Sequence, residues 1–105
     1  MKIILFIDTT SSETIKVGLN KNGKEFILEQ QMDKQKAQIV LPLINRLLKK
    51  HNLTLKDINA IQIDPGPGSF TGVRVGLTIA NTLAFLLKIS VNGKPVGDFA
   101  EPIYT

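Results

Sequence analysis

The chain has 105 residues, which is enough for one domain and leaves little room for a second. Hydrophobic residues make up 43% and the net charge is only +4, which excludes a disordered tail and a strongly basic, dedicated nucleic-acid binder. Because cysteine is absent and His51 is the only histidine, disulfides, a thiolate nucleophile and a Cys-ligated metal are excluded as well.

Three strands are predicted in the first third of the chain. Ile3 to Ile7 is a continuous run of apolar β-formers, typical of a strand that is covered on both faces. Thr14 to Leu19 and Lys24 to Gln31 alternate between apolar and polar residues, and the turn from Asn20 to Gly23 separates them. These short connections predict an antiparallel meander.

The apolar period then changes to that of a helix. From about Lys34 to His51, apolar residues recur at helical spacing. Thr54 to Asp57 has the form of a capping box and predicts a short turn, and Ile58 to Asp64 alternates as a fourth strand. A second helix is predicted from about Thr71 to Leu87, followed by a fifth strand from Lys88 to Val91.

The order β-β-β-α-β-α-β predicts an α/β fold with a mixed five-stranded sheet, in which an antiparallel meander gains parallel strands and is flanked by helices. In the second helix, apolar and glycine positions cover an arc of about 200°, whereas a helix on a sheet needs only about 100°. We expect the first helix or another protein to cover the excess.

No targeting or membrane-spanning segment is predicted. The apolar run at the N-terminus ends at Asp8 with no small-residue cleavage site behind it. The longest apolar stretch, from Val75 to Leu87, is shorter than the roughly 18 residues that a membrane span needs. Thr78, Asn81 and Thr82 also interrupt it. A cytoplasmic protein without a membrane partner is therefore expected.

A glycine-rich loop precedes the second helix. Its residues are Gly66, Pro67, Gly68, Ser69, Thr71 and Gly72. The glycine spacing is one residue too long for the dinucleotide fingerprint, and no Lys-Ser or Lys-Thr pair follows as in a Walker loop. Two interpretations stay open: backbone N–H groups that bind an anion, or a tight turn whose glycines allow close packing between strand and helix.

Two charged residues near this loop have alternative interpretations. Asp8, followed by Thr9 and Thr10 at the end of the first strand, could hold a hydrated Mg²⁺, or it could satisfy the amides of its own turn. Arg74 lies in the first turn of the second helix, where the helix dipole disfavours a cation. It is either solvated or paired with the carboxylate of Asp8, Asp64 or a partner.

Two of these segments together resemble the TsaB family of the bacterial tRNA threonylcarbamoyladenosine machinery, also called glycoprotease-like. They are Ile7-Asp8-Thr9-Thr10 and the run from Gly66 to Gly76, Gly-Pro-Gly-Ser-Phe-Thr-Gly-Val-Arg-Val-Gly. Leu41-Pro42-Leu43-Ile44 on the first helix adds to the match. The resemblance covers residues 1 to about 91.

The resemblance implies a ribonuclease-H-like lobe of the actin-like, Hsp70-like and sugar-kinase-like ATPase superfamily, whose members usually have two lobes. Residues 1–91 would form the N-terminal lobe, and residues 92–105 a short tail in place of the second lobe. It also implies a non-catalytic docking subunit that pairs through its second helix with a TsaD-like threonylcarbamoyltransferase. A TsaE-like ATPase would join the complex, a homodimer is a further expectation, and tRNA would be bound indirectly.

The resemblance also implies where the functional residues lie. Partner-binding residues are expected at Phe70, Arg74, Val75, Leu77, Thr78, Asn81 and Phe85. No catalytic residue and no metal ligand is expected, since Asn92, Gly93 and Lys94 stand where the catalytic paralogue carries its metal-binding histidines. Asp8, Thr9 and Thr10 would be a vestigial phosphate or metal site, with ATP and Mg²⁺ bound only in the assembled complex.

Two other functions are considered. One is an ATP-dependent enzyme of the same superfamily that a second chain completes. The other is a weak tRNA-binding module built on Lys34, Lys36, Lys49 and Lys50. Because no aromatic platform accompanies these lysines in the sequence, a solvated helix surface is the preferred interpretation. His51 is interpreted as a favourable partner for the dipole at the end of the first helix.

Overall fold

The computed structural model of the chain describes residues 2–31 and 36–103. These described residues form five strands, two α-helices and one 3₁₀ turn. In chain order these are β1 (Ile3–Asp8), β2 (Thr14–Lys21), β3 (Lys24–Gln31), α1 (Lys36–Lys50), the 3₁₀ turn (Leu55–Asp57), β4 (Ala60–Ile63), α2 (Phe70–Leu87) and β5 (Ser90–Val91). The predicted order of elements is confirmed.

All five strands form one mixed sheet in the order β3-β2-β1-β4-β5. β1 pairs antiparallel with β2, which pairs antiparallel with β3, while β4 is parallel to both β1 and β5. The β2–β3 turn is tight because Asn22 and Gly23 adopt positive φ angles of 54° and 91°. The predicted meander with parallel additions is therefore confirmed.

Both helices pack against the same face of the sheet. On β1, Ile3, Leu5 and Ile7 are fully buried beneath them. Ile4 and Phe6 point to the opposite face and are only half-buried. The expectation that β1 is covered on both faces is wrong for the described residues, because no described helix packs on that second face.

The helices supply the other half of the core. The apolar period in α1 is confirmed, since its buried residues are Val40, Leu43, Ile44, Leu47 and Leu48. The buried residues of α2 are Gly72, Val73, Gly76, Leu77, Ala80, Leu83 and Ala84. By length and composition α2 also meets the criterion for a membrane span, with 18 residues and a mean hydropathy of 1.5, contrary to the sequence-based expectation. Packing on the sheet accounts for part of this apolar composition, since 39% of the helix is buried.

Two element boundaries differ from the prediction for local reasons. Ile58 is buried beside the 3₁₀ turn rather than paired in β4. The Thr54 N–H closes this turn by donating to the Asp57 carboxylate at 2.8 Å. Lys88 adopts a left-handed conformation with φ of 56° and ends α2. Therefore β5 begins only at Ser90.

Residues 92–103 return along α2 instead of extending away from it. The side-chain amide of Asn81 donates to the Ala100 carbonyl at 3.0 Å and accepts from the Ala100 N–H at 2.9 Å. The Ile103 N–H donates to the Pro65 carbonyl at 2.8 Å. Because Ala100 is only 5% exposed, this segment contributes to the core.

We expect Asn81→Ala to loosen this segment without unfolding the domain. The change removes both hydrogen bonds to Ala100, which together contribute about 1–3 kcal/mol. Amide hydrogen exchange should therefore become faster at Ala100 and Ile103 and stay unchanged in the middle of α2. Thr82→Ala, at an exposed position of the same helix, is the control. Unchanged exchange at Ala100 would show that these bonds do not hold the segment.

Candidate docking surface

The glycine-rich loop is fixed against the turn that follows β1. The Ser69 N–H donates to the Thr10 carbonyl at 2.7 Å, and the Ser69 hydroxyl accepts from the Gly72 N–H at 3.2 Å, which caps α2. A Cβ at Gly68 would lie 2.6 Å from the Thr10 carbonyl oxygen, so only glycine fits there. This geometry supports the tight-turn interpretation of the loop. The capping role of Ser69 was not predicted, although a serine directly before a helix is its usual signal.

The polar side chains of the turn that follows β1 form hydrogen bonds within the chain. Oδ1 of Asp8 accepts from the Thr10 N–H at 2.9 Å and from the Thr10 hydroxyl at 2.7 Å. Thr9 is fully buried, and its hydroxyl donates to the Gly72 carbonyl at 2.6 Å. These contacts favour the interpretation in which Asp8 satisfies its own turn. Within residues 2–31 and 36–103, no group of three His, Cys, Asp or Glu side chains could hold a metal ion.

At Gly76, α2 lies in close contact with Thr9 and with Ile63 of β4. A Cβ at this position would collide with the Thr9 hydroxyl and would lie 2.9 Å from Cδ1 of Ile63. The absence of a side chain at Gly76 therefore lets α2 lie directly on the ends of β1 and β4. Together with the Ser69 cap, this contact sets the rotation of the helix and decides which of its residues face outward.

The outward side of α2 carries large apolar residues. Phe70, Phe85 and Leu86 are 57%, 64% and 67% exposed. The guanidinium carbon of Arg74 lies 4.2 Å from the centroid of the Phe70 ring, a cation–π contact. Beside it lies a depression of about 320 Å³, lined by Phe70, Thr71, Arg74, Val75, Thr78 and Ile79. We call Phe70, Arg74, Val75, Thr78, Phe85 and Leu86 the outer face of α2.

The structure groups five of the seven predicted partner-binding residues on this outer face. They are Phe70, Arg74, Val75, Thr78 and Phe85. Leu77 is only 5% exposed and lies in the core, and the half-buried Asn81 holds the segment around Ala100. Leu77 faces the sheet, whereas Asn81 lies on the outward side of α2 between Phe70 and Arg74 and is covered by the segment around Ala100. Contact of either residue with a partner stays a prediction. Leu86 belongs to the apolar arc, which does not itself show which of its residues face outward.

Comparisons with known proteins agree with this fold. A family model described as TsaD, tRNA N6-adenosine threonylcarbamoyltransferase, matches residues 25–93. The tRNA threonylcarbamoyladenosine biosynthesis protein TsaB of Buchnera aphidicola (subsp. Schizaphis graminum) is 37% identical over 91 residues, which are 87% of this chain and 43% of that protein. TsaB of Escherichia coli is also 37% identical, over 86% of this chain and 38% of that protein.

A solved structure is also similar to this chain. YeaZ from Pseudomonas aeruginosa superimposes with a TM-score of 0.82 and 32% sequence identity, over 90% of this chain and 44% of that chain. The chain thus spans less than half the length of each of these relatives. The fold predicted from the resemblance, a mixed five-stranded α/β lobe, is confirmed.

Proposed function

Since this chain belongs to the TsaB/TsaD family, we propose that it is a non-catalytic docking subunit of the machinery that makes tRNA threonylcarbamoyladenosine. Its partner in this proposal is a TsaD-type threonylcarbamoyltransferase. The match of residues 25–93 to the transferase family supports the choice of partner, because related lobes often pair with one another. The role of docking subunit rests on the outer face of α2.

The observation that carries this proposal is the exposure of apolar side chains on a firmly held helix. Phe85 and Leu86 are each about two-thirds exposed, and burying one such side chain contributes about 1.5–3 kcal/mol. The contact between Gly76 and Thr9 and the Ser69 cap hold the backbone of α2 in place. A surface that is already ordered loses little conformational entropy on binding, which favours docking.

The chemistry of the outer face fits a helix of the partner. Thr78 and Thr82 are short side chains next to Phe85, and they leave room for another helix to approach. The partner helix would place an apolar residue over Phe85 and a carboxylate near Arg74. A second copy of this chain could occupy the same face, so homodimer formation would compete with the partner. In the proposed assembly a TsaE-like ATPase joins the pair, and ATP and Mg²⁺ are bound only in that complex.

Photo-cross-linking tests this assignment. A photoreactive phenylalanine analogue at position 85 should cross-link to the TsaD-type subunit, or to a second copy in its absence. The same analogue at position 27 serves as the control, because Ile27 is 55% exposed on the face of the sheet that the helices leave open. We expect adducts from position 85 and not from position 27. Equal yields from both positions, or adducts from position 27 alone, would contradict the proposal.

A further inference from the structure

We infer that the surface between β3 and the end of α1 is a second binding site, which takes the phosphate backbone of RNA. It comprises two depressions, one with Lys21 and Lys24 beside Phe26 and one with Arg46, Lys49 and Lys50 beside Leu28, and we call the two together the basic groove. The residues of the basic groove lie on β2, β3 and α1, so this site is separate from the outer face of α2. The proposed function supports only one detail of this inference, namely that the bound RNA is a tRNA.

The alternation of β3 brings cations and apolar groups to the basic groove. Phe26 and Leu28 pair across the ladder with Leu19 and Val17, whose side chains are buried under the helices. Lys24 has the same parity and pairs with Lys21, so both lysines lie on the helix side of the sheet. This side therefore presents lysine next to an aromatic ring.

The same alternation removes acidic groups from the basic groove. Glu25 and Glu29 pair with Asn20 and Lys16, on the opposite face of the sheet. The two carboxylates of β3 therefore lie on the other side of the sheet from Lys21 and Lys24.

An aromatic pair lies among these cations. The rings of Phe26 and His51 are 4.3 Å apart between centroids and tilted by 49°. Phe26 lines a depression of about 380 Å³ together with Lys21, Asn22 and Lys24. A second depression, of about 480 Å³, is lined by Leu28, Arg46, Lys49 and Lys50. The sequence gives no sign of such a platform because strand β3 contributes one ring and the residue after α1 contributes the other.

The positions of these cations fit RNA binding better than a role in stabilising the end of α1 alone. The dipole of α1 explains Lys49 and Lys50 in its last turn, but it does not explain Lys21 and Lys24 on the hairpin. The lysine and arginine side chains that line both depressions can neutralise backbone phosphates, and the partly exposed ring of Phe26 can contact an unstacked base. Lys34 lies outside the described residues, as does the side chain of Lys36, so the groove is argued without them.

Charge-reversal variants test the basic groove. Binding of unmodified tRNA to the full chain is measured by fluorescence anisotropy at several salt concentrations, for Lys49→Glu/Lys50→Glu and for Lys88→Glu/Lys94→Glu. Both pairs change the net charge equally, but Lys88 and Lys94 are exposed residues on either side of β5, at the opposite edge of the sheet from β3. We expect the groove pair to raise Kd about tenfold or more and to lower the salt slope by about 2, whereas the control pair barely changes either.

A second variant separates binding from helix stability. Lys21→Gln/Lys24→Gln leaves α1 untouched and should also weaken tRNA binding, with an unchanged circular dichroism spectrum. Equal losses in the groove and control pairs would show general charge attraction and overturn the inference. Binding to phosphatidylserine vesicles without binding to tRNA would overturn it too. Cross-linking from position 85 does not depend on the groove, so failure of one site is distinguishable from failure of the other.

Discussion

Gly76→Val is expected to destabilise the domain by about 2–5 kcal/mol. The new Cβ would occupy the space of the Thr9 hydroxyl and come within 2.9 Å of Ile63. Either α2 moves away from the sheet, or Thr9 rotates and loses its buried hydrogen bond to the Gly72 carbonyl. Urea unfolding followed by circular dichroism measures the loss.

A double-mutant cycle identifies the cause of this loss. Removing the Thr9 hydroxyl opens the space that the new side chain needs, so Thr9→Ala should partly rescue Gly76→Ala. Gly76→Ala alone should destabilise the domain, although alanine normally stabilises a helix by about 1 kcal/mol relative to glycine. Thr82→Ala, on the exposed side of the helix, controls for helix propensity. A stabilising Gly76→Ala would disprove the close approach of α2 to Thr9.

Phe85→Asp is expected to weaken binding of the TsaD-type partner about 100-fold, since losing a central aromatic anchor costs about 3 kcal/mol. The phenyl ring is 64% exposed, so in the free chain it contributes little to the core. Thermal unfolding of the variant should therefore match that of the unchanged protein. Titration calorimetry with the partner gives the loss of affinity.

Leu41→Asp is the matched control for Phe85→Asp. Leu41 is also a large apolar residue on a helix, 47% exposed, but it belongs to α1 and not to the outer face of α2. The same charge placed there should leave partner affinity unchanged. If both substitutions weaken binding equally, the outer face of α2 is not the specific docking surface.

Much of the fold could be predicted from the sequence because its signals are local. Strand β3 shows strict alternation, and α1 shows apolar residues at helical spacing, so the type and order of these elements follow from neighbouring residues. The Asn22-Gly23 pair is also a local signal, because it favours the tight turn that joins β2 and β3. Element boundaries were less accurate where a cap decided them, as at Lys88.

The details of the site depend on contacts between residues far apart in the chain. The resemblance places Leu77 and Asn81 among the partner-binding residues, but the sequence does not show that Leu77 lies in the core or that Asn81 binds the segment around Ala100. The rotation of α2, which buries Leu77, depends on the contact of Gly76 with Thr9, 67 positions away in sequence. The pairing of Phe26 with His51 is equally non-local, and no periodicity in the sequence could reveal it.

The most direct test of the docking proposal is size-exclusion chromatography with light scattering of this chain mixed with a TsaD-type subunit. We predict one peak at the summed mass for the unchanged chain and for Leu41→Asp, and two separate peaks for Phe85→Asp. Separate elution of the unchanged chain, or a stable complex formed by folded Phe85→Asp, would contradict the account.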